Sequence, residues 1–359
     1  MLTVPVEVAD KAAGLRLTVP LDLEPMEAKL VEALPIEPGW QFEPKWDGFR
    51  CLVFRAGDKV ALHSKSGKQL GRYFPEVVSL LESVPGNQFV LDGELVVPLG
   101  SSFSFDALQM RLHPAESRIR KLAVKTPATL ILFDMLLATD GESLMREPLT
   151  ARRMALEHFF ARCSASERLK LSPYTLTRRE AMKWLAHAGH VLDGVIAKRV
   201  DGPYLPGERA MLKVKLQRTA DCVVGGFRYG TDSRQVGSLL LGLYDAEARL
   251  DHVGFTSTIA NAERPALTKR LEALVASPGF TGKAPGSPSR WSTERSVDWV
   301  PVKPKLVVEV RYDQVTGDRF RHGTKLVRFR PDKAPRQCTL EQLKPPARPP
   351  KLVAKLLGY

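Results

Sequence analysis

The chain has 359 residues, 44% hydrophobic and 26% charged, and exceeds the roughly 250–300 residues at which one hydrophobic core stops growing, so two domains are expected. No apolar run approaches the roughly 20 residues of a membrane helix, the N-terminal stretch lacks the basic-then-apolar order of a signal peptide, and the four cysteines, Cys51, Cys163, Cys222 and Cys338, form no C-x-x-C pair of a zinc or redox site; a reducing cytoplasm and no membrane partner are expected. Lys+Arg number 53 against 40 for Asp+Glu, a net charge of +13, which favours a polyanionic partner such as nucleic acid without distinguishing DNA from RNA.

In chain order, RCLVFRAGDKVALHS, residues 50–64, predicts two strands around a Gly-Asp turn. PEVVSLLESV then predicts a short helix with Pro75 in its first turn, where the missing N–H costs nothing. Thr177 and Glu180 have the spacing of a capping box opening the helix REAMKWLAHA, expected to stop near Gly189. From DCVVGGFRY onward the pattern changes to short strands, continued by SLLLGLYD and DHVGFTS. One helix, ERPALTKRLEALVAS, a Gly/Pro/Ser-rich loop at 277–289, and the strands KLVVEVRYD and KLVRFR follow. About five strands with one helix among them match the five-stranded Greek-key barrel called the OB-fold, which commonly binds nucleic acid. The expected organisation is an α+β chain with a mixed domain over 1–217, a barrel over 218–345 and an extended Pro/Lys-rich tail over 346–359.

Three Asp-Gly pairs interrupt apolar runs: Asp47-Gly48, Asp92-Gly93 and Asp193-Gly194. Each alone reads as a hairpin turn. Beside them, however, Lys45, Glu94 and Lys198 bring charge into strand-like stretches, where an unpaired charge is expensive to bury. In MLKVKL, strand alternation points Lys213 and Lys215 to one side and Leu212, Val214 and Leu216 to the other, apolar side. Two ammoniums on one face suit a phosphate, which lysine binds as a point charge. No G-x-x-x-x-G-K-[ST] loop is present, so a bound nucleotide would depend on these lysines and carboxylates. Glu94 and Asp193 could hold Mg²⁺. Lys45, read as surrounded by other cations, is expected to lose its proton more easily than free lysine and to serve as a nucleophile.

KWDGFR, LDGEL, LFDML, DGVIAK, LKVK and RPDK stand here in one order along the chain. In that order they resemble the motifs of the covalent nucleotidyltransferases, which include ATP-dependent DNA ligases, RNA ligases and mRNA capping enzymes. FEPKWDGFR, RTADCVVGGFRYG and FRHGTKLVRFRPDK are most similar to the short two-domain bacterial ATP-dependent DNA ligases of the LigC type. The resemblance implies an adenylation domain followed by an OB-fold, ATP and Mg²⁺ (or Mn²⁺) as cofactors, nicked duplex DNA as substrate, and a monomer working beside separate repair proteins at the bacterial nucleoid. It implies that Lys45 takes AMP from ATP, passes it to a 5′-phosphate at a nick, and that the 3′-hydroxyl then closes the strand.

Carried over by position, Glu43 contacts adenine, Arg50 the ribose or the substrate phosphate, and Glu94 the ribose or a metal. Phe133 stacks on the base, Lys213 and Lys215 hold the α-phosphate, and Asp193 binds metal. Arg330, Asp332 and Lys333 orient pyrophosphate after closure about a hinge at Gln217–Thr219. Ser64 and Lys65 stand where the family often has Ser-Arg and contact the nick phosphate or the nucleotide. Asp193 replaces the usual glutamate, and Met211 an aromatic. With 42 residues before Glu43, the extra helical domain of larger ligases is not expected. Two alternatives stay open: an RNA ligase or capping-type enzyme, or a non-catalytic OB-fold protein that binds nucleic acid.

Overall fold

The computed structural model describes residues 15, 17–100, 102–163, 166–186, 192–216, 218–286 and 298–344. Gly189, Gln217, residues 287–289 and the 346–359 tail lie outside the described residues. The chain divides into two compact units, the first reaching Lys215 and the second beginning at Leu216.

Counting strands of three or more residues, the first unit contains β1 (Ala28–Leu30), β2 (Trp40–Trp46), β3 (Phe49–Ala56), β4 (Lys59–Ser64), β5 (Gln88–Val96), β6 (Thr129–Leu137), β7 (Leu169–Leu171), β8 (Leu192–Arg199) and β9 (Met211–Val214). They form two sheets, β1-β9-β8-β2 and β4-β3-β5-β6-β7. The β3–β4 hairpin turns at Gly57 and Asp58, as expected. On one face of β5 and β6, Leu91, Leu95, Leu130 and Leu132 are fully buried among the helices. Helix α1 (Pro75–Ser83) has its proline at the first position and buries Val77 and Leu81, one turn apart.

None of the three Asp-Gly pairs is a hairpin turn. Asp47-Gly48 carries the chain from β2 in one sheet to β3 in the other. Asp92-Gly93 lies inside β5, at a register shift against β6, and Asp193-Gly194 lies inside β8, at a register shift against β2. The glycines serve close approach instead. A Cβ on Gly48 would stand 2.1 Å from the Leu95 carbonyl oxygen, on Gly93 2.7 Å from that of Ile131, and on Gly194 2.0 Å from that of Val214. The reciprocal capping box also fails to form. Thr175 Oγ1 accepts the Thr177 N–H that Glu180 would have reached, and Glu180 pairs with Lys183.

The second unit contains β10 (Arg218–Tyr229), β11 (Val236–Tyr244), β12 (Leu250–Thr256), β13 (Val307–Tyr312) and β14 (Lys325–Phe329), in the order β12-β11-β10-β13-β14. A parallel bridge from Thr256 to Thr324, with the Thr256 hydroxyl donating to the Thr324 carbonyl at 2.9 Å, closes the barrel between its third and fifth strands. Between β12 and β13, helix α2 (Arg264–Glu272) buries Leu267 and Leu271 against the barrel core of Val223, Leu239, Leu241 and Val308. This is the five-stranded OB-fold expected from the strand spacing. Among the described residues no helix is long and apolar enough to cross a membrane.

Candidate active site

A cavity of about 980 Å³ opens in the first unit, and its lining comes from both sheets. Strand pairing sets one wall. Ile196 lies opposite both Lys213 and Glu43, so these three form a row across β9, β8 and β2, and the next row places Gly194 beside Lys45. Gly194, at φ +144°, adopts a backbone that side chains disfavour. The other wall carries Arg50 from β3, Glu94 from β5 and Phe133 from β6, and Ser64 and Lys65 stand where β4 ends. Glu43, Lys45, Arg50, Ser64, Lys65, Glu94, Phe133 and Lys213 therefore line one pocket.

Lys45 Nζ lies 2.5 Å from Asp193 Oδ2, which also lies 3.2 Å from Lys215 Nζ. This overturns the expectation of a lysine crowded by cations. Burial works to lower the Lys45 pKa, but Asp193, Glu94 and Asp47 outweigh it and hold the ammonium above its ordinary value. The crowded cation is Lys213, held below its ordinary value by partial burial and then by Lys45, Lys215 and Lys65. Glu94 accepts the Gly48 N–H at 3.1 Å. Burial is the main cause that pushes its carboxyl up to about 7, against the pull of Lys45 and Arg50.

Glu43 is buried, with Oε2 2.9 Å from Lys198 Nζ and Oε1 accepting from Gln41 Nε2 at 2.8 Å. Arg50 makes a two-pronged bond to Asp92, Nε to Oδ1 and Nη2 to Oδ2, both at 2.5 Å. Tyr204 also donates to Asp92 Oδ2, at 2.7 Å. Phe133 has the Arg50 guanidinium and the Lys198 ammonium each 4.7 Å from its ring centroid. Lys65 pairs with Glu27 at 2.8 Å across the cavity lining. On β9, Met211 is buried in a cluster of apolar side chains and Val214 is buried too, whereas Leu212 and Leu216 are only half-buried and the strand ends before Lys215. Among the described residues no group of three His, Cys, Asp or Glu side chains forms a metal site.

Arg330, Asp332 and Lys333 cluster in the second unit. Arg330 Nη1 donates to Asp221 Oδ1 at 2.9 Å, its Nε and Nη2 donate to Asp332 at 3.0 and 2.9 Å, and Lys333 Nζ lies 2.7 Å from Asp221 Oδ2.

Sequence reasoning assigned no role to Asp92, Lys198, Tyr204 or Asp221. For Asp92 and Lys198 the signal was charge inside an apolar strand. Asp221, in RTADCVVGG, gave a weaker one at a strand start. Asp134, next to Phe133, braces the fold through a buried bond to Arg152, Oδ1 to Nε at 2.8 Å.

A family model described as "ATP dependent DNA ligase domain" matches residues 25–215, and one described as "ATP dependent DNA ligase C terminal region" matches residues 232–333. DNA ligase C1 of Mycolicibacterium smegmatis is 44% identical, over 92% of this chain and 96% of its own length. DNA ligase C of Mycobacterium tuberculosis is 40% identical, again over 92% of this chain and 96% of its own. A solved structure described as "DNA binding with a minimal scaffold: Structure-function analysis of Lig E DNA ligases" shares the fold, with a TM-score of 0.50 and 14% identity over 85% of this chain and 99% of that one. With both units matched and two curated relatives covered nearly end to end, the chain belongs to the ATP-dependent DNA ligases, an adenylation domain followed by an OB-fold domain.

Proposed function

We propose that this DNA ligase seals nicks in duplex DNA, joining a 5′-phosphate to a 3′-hydroxyl, and that it acts in DNA repair as a monomer. Lys45 carries the proposal. It is an amine on the wall of the 980 Å³ cavity, with Lys213 on the same sheet and Phe133 and Arg50 across from it.

In the first step Lys45 Nζ attacks the α-phosphorus of ATP; the N–P bond forms, the bond to the bridging oxygen breaks, and pyrophosphate leaves. Lys45 must first give up a proton, and Asp193 Oδ2, 2.5 Å away, is an acceptor in contact. Lys213 and Lys215 offset charge on the α-phosphate, Glu43 and Phe133 take the adenine, and Arg50 takes the ribose or the nick phosphate. Arg330, Asp332 and Lys333 orient the departing pyrophosphate, Asp332 by holding the Arg330 guanidinium until the anion arrives. AMP then passes to the 5′-phosphate, the Lys45–phosphorus bond breaking as the new P–O bond forms. Finally the 3′-oxygen attacks the phosphorus of the DNA 5′-phosphate, losing its proton as the bond from that phosphorus to AMP breaks and AMP leaves. Ser64 and Lys65 contact the nick phosphate or the nucleotide.

Mg²⁺ or Mn²⁺ suits the donors that surround Lys45, because Glu94 and Asp193 offer the hard carboxylate oxygens such ions bind alongside substrate phosphates. Those two residues would hold it, and it would neutralise charge on the triphosphate.

The test combines α-labelled ATP or GTP with nicked DNA and DNA/RNA hybrid substrates. ATP should label the protein covalently, Lys45→Ala should abolish the label, and nicked DNA should be sealed. Labelling by GTP alone, or sealing only when both sides of the nick are RNA, would move the assignment to a capping-type enzyme or an RNA ligase. No labelling at all would leave a non-catalytic OB-fold protein.

A further inference from the structure

Arg330 is gripped by two carboxylates of different character. Asp332 takes the Nε/Nη2 edge of the guanidinium, the fork that matches a phosphate as well as a carboxylate. Its side chain is 60% exposed. Asp221 takes the remaining nitrogen, Nη1, and binds Lys333 as well, and its side chain is 12% exposed. Its backbone is clamped from both sides by one amide: Gln342 Oε1 accepts the Asp221 N–H at 3.0 Å, and Gln342 Nε2 donates to the Asp221 carbonyl at 3.1 Å. One carboxylate is thus fixed in the barrel wall, and the other sits in solvent where an anion can replace it.

We propose that Asp221 is a positioning residue that presents Arg330 and Lys333 as a two-cation clamp for the pyrophosphate part of ATP, with Asp332 standing in for a phosphate while the clamp is empty. This rests on the reading of Lys45 as the AMP acceptor. Two cations and two carboxylates balance in the resting cluster. When a polyphosphate takes the Arg330 fork from Asp332, Asp221 keeps both cations aimed at it, so their rotamers need not be ordered at the moment of binding.

Asp221→Asn tests this, because the clamp from Gln342 contacts only the backbone of residue 221 and survives the change. Three quantities are measured: KM for ATP in adenylation, KM for pyrophosphate in the reverse release of ATP, and the rate of closing a pre-adenylated nick, which needs no pyrophosphate. Both KM values should rise roughly tenfold, the effect of losing one charge-assisted contact, while closure of the pre-adenylated nick stays within about twofold. Asp221→Glu should restore part of the loss. Unchanged KM values, or a parallel fall in closure of the pre-adenylated nick, would overturn the proposal. Native protein that takes no label from ATP would instead overturn the Lys45 reading.

Discussion

Glu94 shows what burial does to one carboxyl group. Its folded pKa of about 7 stands above the ordinary 4.5, so between those values the folded state binds more protons than the unfolded one. Stability therefore falls as pH rises through that window, and the deprotonated carboxylate costs about 3 kcal/mol above it. Glu94→Gln removes the titration. In nucleotide- and metal-free protein, the urea midpoint of this variant should drop less between pH 5 and pH 8 than that of the native chain. Equal drops would mean that Glu94 is not desolvated as the structure has it. Lys45 shows the opposite balance: three carboxylates outweigh burial and keep it charged at rest. The neighbouring charges were visible in the sequence, but their signs around Lys45 were not, because Asp193 reaches it from another strand 148 positions away, counted from 45 to 193.

At the scale of elements, glycine governs how closely the strands pack. A methyl group on Gly194 would collide with the Val214 carbonyl at 2.0 Å and would also occupy a positive-φ backbone. Gly194→Ala should lower the melting temperature by roughly 5–10 °C and slow adenylation by displacing β9 with Lys213. Gly57→Ala is the control, since it shares a positive φ of 59° but has no atom within 4 Å of the added carbon. Its loss of thermal stability should be smaller and its adenylation unchanged, because the left-handed backbone at Gly57 is one side chains can enter and nothing collides there. The β3–β4 hairpin, the Pro75 helix and the barrel's strand spacing were legible because they are local patterns. The Asp-Gly pairs misled for the same reason. A dipeptide signals a turn, while the carbonyl that demands glycine belongs to a different strand. The arginine partners of Asp92 and Asp221 were hidden similarly, standing 42 and 109 positions away.

For the whole molecule, the +13 charge is the largest long-range term. Each phosphate neutralised steepens the dependence of binding on salt, so about six contacts should weaken the affinity for a nicked duplex about a thousandfold between 50 and 200 mM NaCl. Fluorescence anisotropy with Lys45→Ala, which lacks the proposed nucleophile, measures this. A change under about fivefold would show that binding does not rest on backbone phosphates.

The passage of Asp47-Gly48 from one sheet to the other has a mechanical side. Lys45 and Arg50 stand on opposite walls of the cavity yet are joined by four intervening residues, so covalent chain limits how far the walls can part beside Lys45. Another link between lining residues, Lys65 to Glu27, is a salt bridge with Lys65 largely exposed, which solvent and salt weaken easily. The cavity is therefore joined like a pair of tongs, its gap at the Lys45 amine set by covalent chain and its Lys65 side held by a contact that solvent can loosen.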